Sequence, residues 1–486
     1  MTANDLRRTE VACGILSGMK RSRLLLPFFC LAALTASAGI FDDVDFRGAT
    51  DKANPAGYAV GELITLTFTL AQAPKEVFSG AYAVDWRRWG DDGKEAKGRL
   101  PLDGKTPLAV VTSLDRPGGV FVEAFVVNAA DGKRVRRDRR ARNTHTWEES
   151  GLDVQFIGGA LVAPDRIRPA HGEPADFDVF WARQKRRLAD VPATVLERME
   201  VTPNDKTVAR VWAVKVACAG PRPVTGYLTI PRNAQPKSLK GVCMFHGYGT
   251  SIQGAPSDGP ADAIVFGVNA HGYDLGRDKA YYDAFNAGIR TPKDIYGFSA
   301  WQNEYPEGCY FNGMALRLMR AFDFVRGLPE WDGKTLEAQG GSQGGLQSMW
   351  AAGLVDDLTE SRPEVPWCAD LGPDAVPGRV APGWRIAWTP GIAYYDCVNH
   401  AKRAKGRVNI VRAGLGDTCC MPSSIACIYN NLPADRRSIV WVQGSKHGYV
   451  PPMPNQSVEL PSGKTVAPYR SDDVYKGDSL PAGGAR

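Results

Sequence analysis

The stretch Gly340-Gly341-Ser342-Gln343-Gly344-Gly345 limits what this chain can become more than any other. It follows the short run Thr335-Leu336-Glu337-Ala338-Gln339 and precedes Leu346-Gln347-Ser348-Met349-Trp350-Ala351-Ala352, so a strand must end and a helix begin within a few residues. A serine centred in G-x-S-x-G fits a sharp strand-to-helix turn that lifts a hydroxyl clear of a sheet, because side chains beside it would collide with neighbouring backbone. No second G-x-S-x-G occurs. In a chain with 52 glycines, a glycine-rich loop holding one serine also arises by chance. The motif gains meaning only if a base and an acid follow at the ends of later strands.

The surrounding pattern supplies such strands. Past Val195, Ala209 to Val216 and Thr225 to Ile230 read as opening strands, and Lys240 to Gly247 and Ala263 to Asn269 are apolar runs of the kind buried on both faces of a parallel sheet. Phe311 to Val325 has helical spacing and ends near Gly327 and Pro329. After the serine come strands at Trp367 to Leu371, Arg407 to Asp417 and Ser438 to Gln443. The alternation predicts an α/β fold with a doubly wound, mostly parallel sheet over residues 173–455.

At 486 residues the chain exceeds one ordinary domain, and 44% hydrophobic with 23% charged residues is a globular composition. Residues 1–38 read as a leader. Lys20-Arg21-Ser22-Arg23 is a positive segment, Leu24 to Leu34 an apolar one, and Ala36-Ser37-Ala38 a small-residue cleavage site, which predicts export to the periplasm or the extracellular space. The apolar part is far shorter than the roughly 20 residues of a membrane span. Between Val60 and Val127, Leu63 to Leu70, Ala81 to Trp86, Leu108 to Ser113 and Val120 to Val127 read as strands. They predict a small all-β, immunoglobulin-like sandwich over residues 39–150, an accessory element without a catalytic constellation. Residues 151–172, with Gly158-Gly159 and two prolines, read as a linker, and Asp176 as the N-cap of a helix carrying Phe177, Phe180 and Trp181. The tail, 456–486, shows little periodicity and predicts an edge strand at most.

Loss of the leader removes five basic and two acidic side chains and lowers the net charge from +6 to +3, so charge does not argue for nucleic acid. The basic run from Lys133 to Arg142 reads as a solvated hairpin end. Eight of the ten cysteines remain after the leader, and their spacing names no pairs. The vicinal Cys419-Cys420 with Cys427 lacks any C-x-x-C or H-x-x-x-H companion, so no metal is expected.

Side chains at the carboxyl ends of neighbouring parallel strands converge. Asp417 ends one later strand and His447 follows the next, in the order Ser, Asp, His that this sheet architecture requires. His447 would take the proton of Ser342 as the hydroxyl attacks a carbonyl, and Asp417 would orient the imidazole. The N–H of Gln343 and that of Tyr248, in the loop His246-Gly247-Tyr248-Gly249, would receive the oxyanion. Asp370, Asp374 and Asp396 compete with Asp417 for the acid's place. Among the histidines, His246, His271 and His400 lie within the sheet region, and His145 and His171 outside it.

Phe177-Asp178-Val179-Phe180-Trp181, His246-Gly247-Tyr248-Gly249, Gly341-Ser342-Gln343-Gly344-Gly345, Asp417 with Pro422-Ser423-Ser424, and His447 together resemble the acetyl xylan esterase and cephalosporin C deacetylase family of α/β-hydrolases. The resemblance spans about residues 170–452. It implies Ser342, Asp417 and His447 as triad, the amides of Tyr248 and Gln343 as oxyanion hole, a small-acyl pocket, an acetylated carbohydrate as substrate, no cofactor and a homo-oligomer. The chain departs from the family pattern in two places. Ala270-His271-Gly272 stands where the family has Arg-Gly-Gln, and His447-Gly448 where it has His-Glu. Trp301, Trp384 and Trp388 read either as buried loop anchors or as surfaces that stack on sugar rings.

Overall fold

The computed structural model describes residues 39–137, 152–291 and 295–448, together with the backbone of Val458–Glu459 and Thr465–Val466. The expected leader, His145 and the second half of the basic run lie outside the described residues.

Among the described residues seven strands precede the sheet that carries the serine: β1 (Asp45–Thr50), β2 (Ile64–Ala71), β3 (Tyr82–Gly90), β4 (Ala96–Pro101), β5 (Ala109–Thr112), β6 (Gly118–Asn128) and β7 (Gln155–Val162). They form a three-stranded sheet in the order β1-β2-β5 and a four-stranded sheet in the order β4-β3-β6-β7, with every pairing antiparallel. β2 shows why the strands form where they do. Ile64, Leu66, Phe68 and Leu70 are buried, while the threonines between them face outward. Both sheets share one core, in which Ile64, Leu66, Val84, Val122 and Val162 meet.

The expected linker is instead the strand β7, paired with β6 from Gln155 to Val162. Its glycines look like hinge residues in sequence, yet they are there for close approach. A Cβ on Gly159 would lie 1.9 Å from the carbonyl oxygen of Val120, and one on Gly158 would lie 2.0 Å from the side chain of Gln443.

The larger sheet comprises β8 (Val195–Glu200), β9 (Ala209–Val216), β10 (Val224–Pro231), β11 (Leu239–Phe245), β12 (Ala263–Val268), β13 (Trp331–Gly341), β14 (Glu360–Glu364), β15 (Arg407–Gly414) and β16 (Arg437–Val442). Its nine strands run in the order β16-β15-β14-β13-β11-β12-β10-β9-β8. The six strands β11 to β16 pair parallel with one another, and β10 joins β12, β9 joins β10 and β8 joins β9 antiparallel. The chain leaves β11 for β12 on one side and returns as β13 on the other, so the loops after β11 and β13 open side by side at a switch point. Phe245 at the end of β11 is level with Gly340.

Among the described residues six α-helices accompany the strands: α1 (Phe177–Ala189), α2 (Lys279–Ile289), α3 (Tyr310–Arg326), α4 (Gln343–Leu354), α5 (Cys397–Ala401) and α6 (Pro422–Asn431). Asp176 occupies the N-cap position of α1, but its carboxylate accepts from the hydroxyl of Tyr394 and caps nothing. No described helix is long and apolar enough to cross a membrane. In the tail, β17 (Val458–Glu459) and β18 (Thr465–Val466) pair antiparallel as a separate ribbon.

One strand lies elsewhere than expected. Trp367 to Leu371 is not a strand; Glu360-Ser361-Arg362-Pro363-Glu364 is, as β14 in the middle of the sheet. A proline and two glutamates hide it from pattern reading. Pro363 is tolerated because the register towards β15 shifts between Ser361 and Glu364, where its missing N–H is not needed. Glu360 accepts from Arg407 at 3.1 Å and Asn409 at 2.8 Å, and Glu364 from Arg412 at 2.6 Å. Trp367 and Leu371 are apolar because they pack in the main core, on a loop whose Cys368 and Asp370 have φ of 56° and 52°.

Candidate active site

The elbow after β13 holds Ser342 at φ 58° and ψ −116°, a left-handed conformation rare for a residue with a side chain. Its neighbours explain how the turn is enforced. A Cβ would come within 2.5 Å of the Phe245 carbonyl at Gly340, 2.1 Å of the same oxygen at Gly344, and 2.7 Å of the Glu364 carbonyl at Gly345. Gly341 differs: a Cβ there meets the Glu364 side chain, nearest at Oε2, 3.5 Å away, an ordinary contact. The backbone is pinned as well, with Ser342 N–H donating to Glu364 O at 2.9 Å and Trp367 N–H donating to Ser342 O at 3.1 Å.

The expected base and acid both reach this serine. His447 Nε2 stands 3.0 Å from Ser342 Oγ, and His447 Nδ1 stands 3.0 Å from Asp417 Oδ2. Asp417 is fully buried, and its other oxygen accepts the N–H groups of Cys419 and Cys420, each at 2.8 Å. With a carboxylate on Nδ1, the proton belongs on that nitrogen and Nε2 keeps its lone pair towards the serine. Burial pulls the His447 pKa down, but the charge and hydrogen bond of Asp417 outweigh it and raise the value to about 9.

The three rival acids are committed elsewhere. Asp370 pairs with Arg379 at 2.8 Å; Asp396 caps α5 through Val398 N–H at 2.9 Å and accepts Leu371 N–H at 2.7 Å; Asp374 faces Arg385. The other histidines of the sheet region are held by backbone. His246 Nε2 accepts from Ala270 N–H at 3.1 Å, and His400 Nε2 faces Tyr394 O at 3.0 Å. His271 is fully buried between Tyr310 Oη at 2.9 Å and Gly249 O at 2.8 Å. Burial first, then the charge of His246, drives the His271 pKa down to about 3. His171 stacks on Trp388 with ring centroids 4.0 Å apart.

Gln343 opens α4, so its N–H belongs to the first helical turn, whose donors have no partner within the helix. Tyr248 lies in the adjacent loop, and Tyr296 ties the two together. Its hydroxyl donates to Gln343 Oε1 at 2.8 Å and accepts from Gly249 N–H at 3.0 Å, and its ring stacks on Tyr248 at 4.1 Å. Tyr248 also meets Trp384 edge-on at 4.8 Å, and Trp384 stacks on Trp367 at 4.9 Å, so an aromatic wall stands beside the serine.

The family model described as acetyl xylan esterase matches residues 161–372 and 388–460, more than half of the chain. The chain belongs to the acetyl xylan esterase family. A curated relative, acetyl esterase Axe7A of Xylanibacter ruminicola, is 25% identical over 308 residues, which cover 57% of this chain and 64% of that protein, so the match spans less than two thirds of the relative. Among solved structures, an acetyl xylan esterase from Paenibacillus sp. R4 is 22% identical, covering 58% of this chain and 93% of that one with a TM-score of 0.46. Acetyl xylan esterase 1 from Thermoanaerobacterium sp. JW/SL YS485 is 19% identical, covering 58% and 92% with a TM-score of 0.47.

In this acetyl xylan esterase family member, two supports of the site escape sequence reading. Arg412, buried near the end of β15, donates to Ser445 Oγ at 3.1 Å, Lys446 O at 3.0 Å and His447 O at 3.3 Å, and so clamps the loop carrying the imidazole. A lone arginine inside the apolar run Val408 to Leu415 was the available signal, since buried arginines need several acceptors. Gln443, also buried, donates to Gly159 O at 2.8 Å and accepts Gly159 N–H at 2.9 Å, which joins the end of β16 to β7. Nothing in its local sequence announces that bond.

Proposed function

We propose that this chain is an exported serine esterase that removes acetyl groups from acetylated sugars such as xylan fragments. The observation that carries the reading is the continuous chain from Ser342 Oγ through both nitrogens of His447 to buried Asp417, with 3.0 Å at each step. Family membership gives it its ester substrate.

Ser342 Oγ attacks the acetyl carbonyl as its proton passes to His447 Nε2, and the oxyanion takes hydrogen bonds from the N–H groups of Gln343 and Tyr248. The C–O bond to the sugar breaks, and His447 returns the proton to the departing sugar hydroxyl. Water then repeats the sequence: His447 takes its proton, hydroxide adds to the acyl carbon, and acetate leaves as Ser342 recovers its hydrogen. No step needs a cofactor. The aromatic wall of Tyr248, Trp367 and Trp384 favours a small acyl group, because a long chain has to pass bulky rings locked against one another. The N-terminal strands enter this reading as an accessory immunoglobulin-like sandwich.

Acetate release from acetylated xylan and from acetylated xylo-oligosaccharides, measured beside aryl esters of increasing acyl length, tests the reading. Turnover of the acetyl substrates with labelling of Ser342 by an organophosphate is expected. Preference for long acyl chains would make the protein a general carboxylesterase, and absence of both turnover and labelling would leave a carbohydrate-binding protein without catalysis.

A further inference from the structure

The ester chemistry leaves two side chains idle at the edge of the site. Cys419 and Cys420 are free thiols, Cys419 half-buried and Cys420 buried. One ligand atom each from Cys419, Cys420 and His447 lie within 4.8 Å of one another, the only such group of three among the described residues. We propose that these three residues form an inhibitory site for a thiophilic d10 cation of the zinc and cadmium class.

Two independent features favour it. The donor set, two sulfurs and an imidazole nitrogen, is what such ions select over magnesium or calcium. In a tetrahedral site the donors stand about 3.5–4 Å apart, so the present arrangement needs to close by roughly 1 Å. The backbone beneath the thiols is also already ordered: one oxygen of Asp417 accepts both cysteine N–H groups at 2.8 Å, and α6 begins at Pro422 immediately after. Both cysteines line one cavity with Trp367, Leu371 and Met421, and Trp367 bonds the backbone of Ser342.

Binding forms two metal–sulfur bonds and one metal–nitrogen bond, and the two thiol protons pass to solvent. The inhibitory consequence, which rests on the proposed esterase reading, is the same for either ring nitrogen. Through Nε2, the cation takes the lone pair that faces Ser342. Through Nδ1, it displaces the bond to Asp417 and leaves the proton on Nε2. In both cases the serine proton has no acceptor. The remaining position on the ion is open to water or to the oxygen of a product.

The test is a titration of the full chain with cadmium chloride, read by thiolate-to-cadmium charge-transfer absorption, with zinc chloride as competitor. Organophosphate labelling of Ser342 is followed in the same samples. One equivalent of cadmium is expected to give the band and to slow labelling, and a chelator to reverse both. Cys419→Ser, at a half-buried position, should weaken binding at least about tenfold, the low end of what loss of a partner costs such sites. Cys420→Ser should do the same, with thermal melting reporting whether that buried change still folds. An absent band, or wild-type affinity in folded Cys419→Ser, overturns the site, and a full band with undiminished labelling overturns the part played by His447. If the metal-free chain takes no label, the esterase reading fails, and the band and its dependence on Cys419 and on His447→Asn still judge the metal site.

Discussion

Ser342 and His447 stand 3.0 Å apart, yet the two corners of the site are built by different means. The serine corner is local. Its shape comes from Gly340, Gly344 and Gly345, each within three residues of Ser342 and each against backbone that a side chain would strike. The imidazole corner is assembled from distant segments. Arg412 reaches it from β15, Gln443 ties it to β7, and Gly416, just before Asp417, packs so closely on β7 that a Cβ would lie 2.2 Å from Ile157 O. A locally encoded corner is readable as a motif, whereas one encoded by packing is readable only once the strands are paired.

The largest effects test whether the two corners act as one unit. Ser342→Ala and His447→Ala are each expected to lower kcat by about 10⁶, and the double variant by hardly more, because either change removes the same coupled proton transfer. Asp417→Asn should lower kcat by about 10⁴, since the wrong tautomer then faces the serine. Steady-state rates on an aryl acetate, with protein concentration set by folding-checked samples, measure all four. Additive losses would mean that the corners work separately.

Next come the glycines. Gly344→Ala places a methyl 2.1 Å from Phe245 O and should destabilise the fold by about 3 kcal/mol or more, or prevent folding. Gly341→Ala, with 3.5 Å to a side-chain oxygen, should change stability by less than about 1 kcal/mol. Denaturant midpoints for the pair decide whether the elbow depends on the motif glycines or on glycine throughout.

That contrast also explains what could be read beforehand. A strand with apolar alternation, such as β2, and buried runs such as β6, β11 and β12 are where the residues place them. β14 was hidden because its glutamates are paired with Arg407 and Arg412 and hydrogen-bonded by Asn409 on the next strand, and β7 because its glycines serve close packing, which in sequence looks like a hinge. The order Ser, Asp, His pointed to three residues that meet. The partners of Arg412, Tyr296 and Gln443 could not be read, since each acts on a residue at least 33 positions away, and only Arg412 left a trace, as a lone arginine in an apolar run.

A smaller effect separates the corners by pH. Asp417 holds the His447 pKa at about 9, above the ordinary 6.5. The protonated ring therefore favours the folded state: its stabilisation is complete below pH about 6.5 and is lost as pH rises through about 9. Catalysis runs the other way, because only the neutral ring accepts the serine proton. kcat/KM should climb towards a midpoint near pH 9 while the melting temperature falls across the same range. In Asp417→Asn both trends should retreat towards the ordinary histidine value. A rate midpoint near 6.5 in the unaltered protein would mean that the carboxylate does not govern the ring.

The finest test is Gln443→Ala, which cuts the link between the imidazole corner and β7 and leaves every group that touches substrate in place. The cut removes three hydrogen bonds of a buried amide, two to Gly159 and one from Gly444 N–H, a loss of about 2 kcal/mol in stability. Packing alone would stop there: the melting temperature would drop, and kinetics at a temperature where the protein is fully folded would be unchanged. A positioning role predicts more. Gln443 lies four residues before His447, at the mouth of the loop that Arg412 clamps from the other side. A loop freed on one side lets the ring drift from Asp417, so kcat should fall about tenfold, for misplacement of order 1 Å costs more than that. KM should stay constant, and the pH midpoint should slip below 9. Organophosphate labelling of Ser342 should slow in step with kcat and still reach one equivalent, since the same imidazole takes the serine proton. If kcat and the midpoint both hold, the N-terminal strands support the fold alone, and the imidazole corner depends on Arg412.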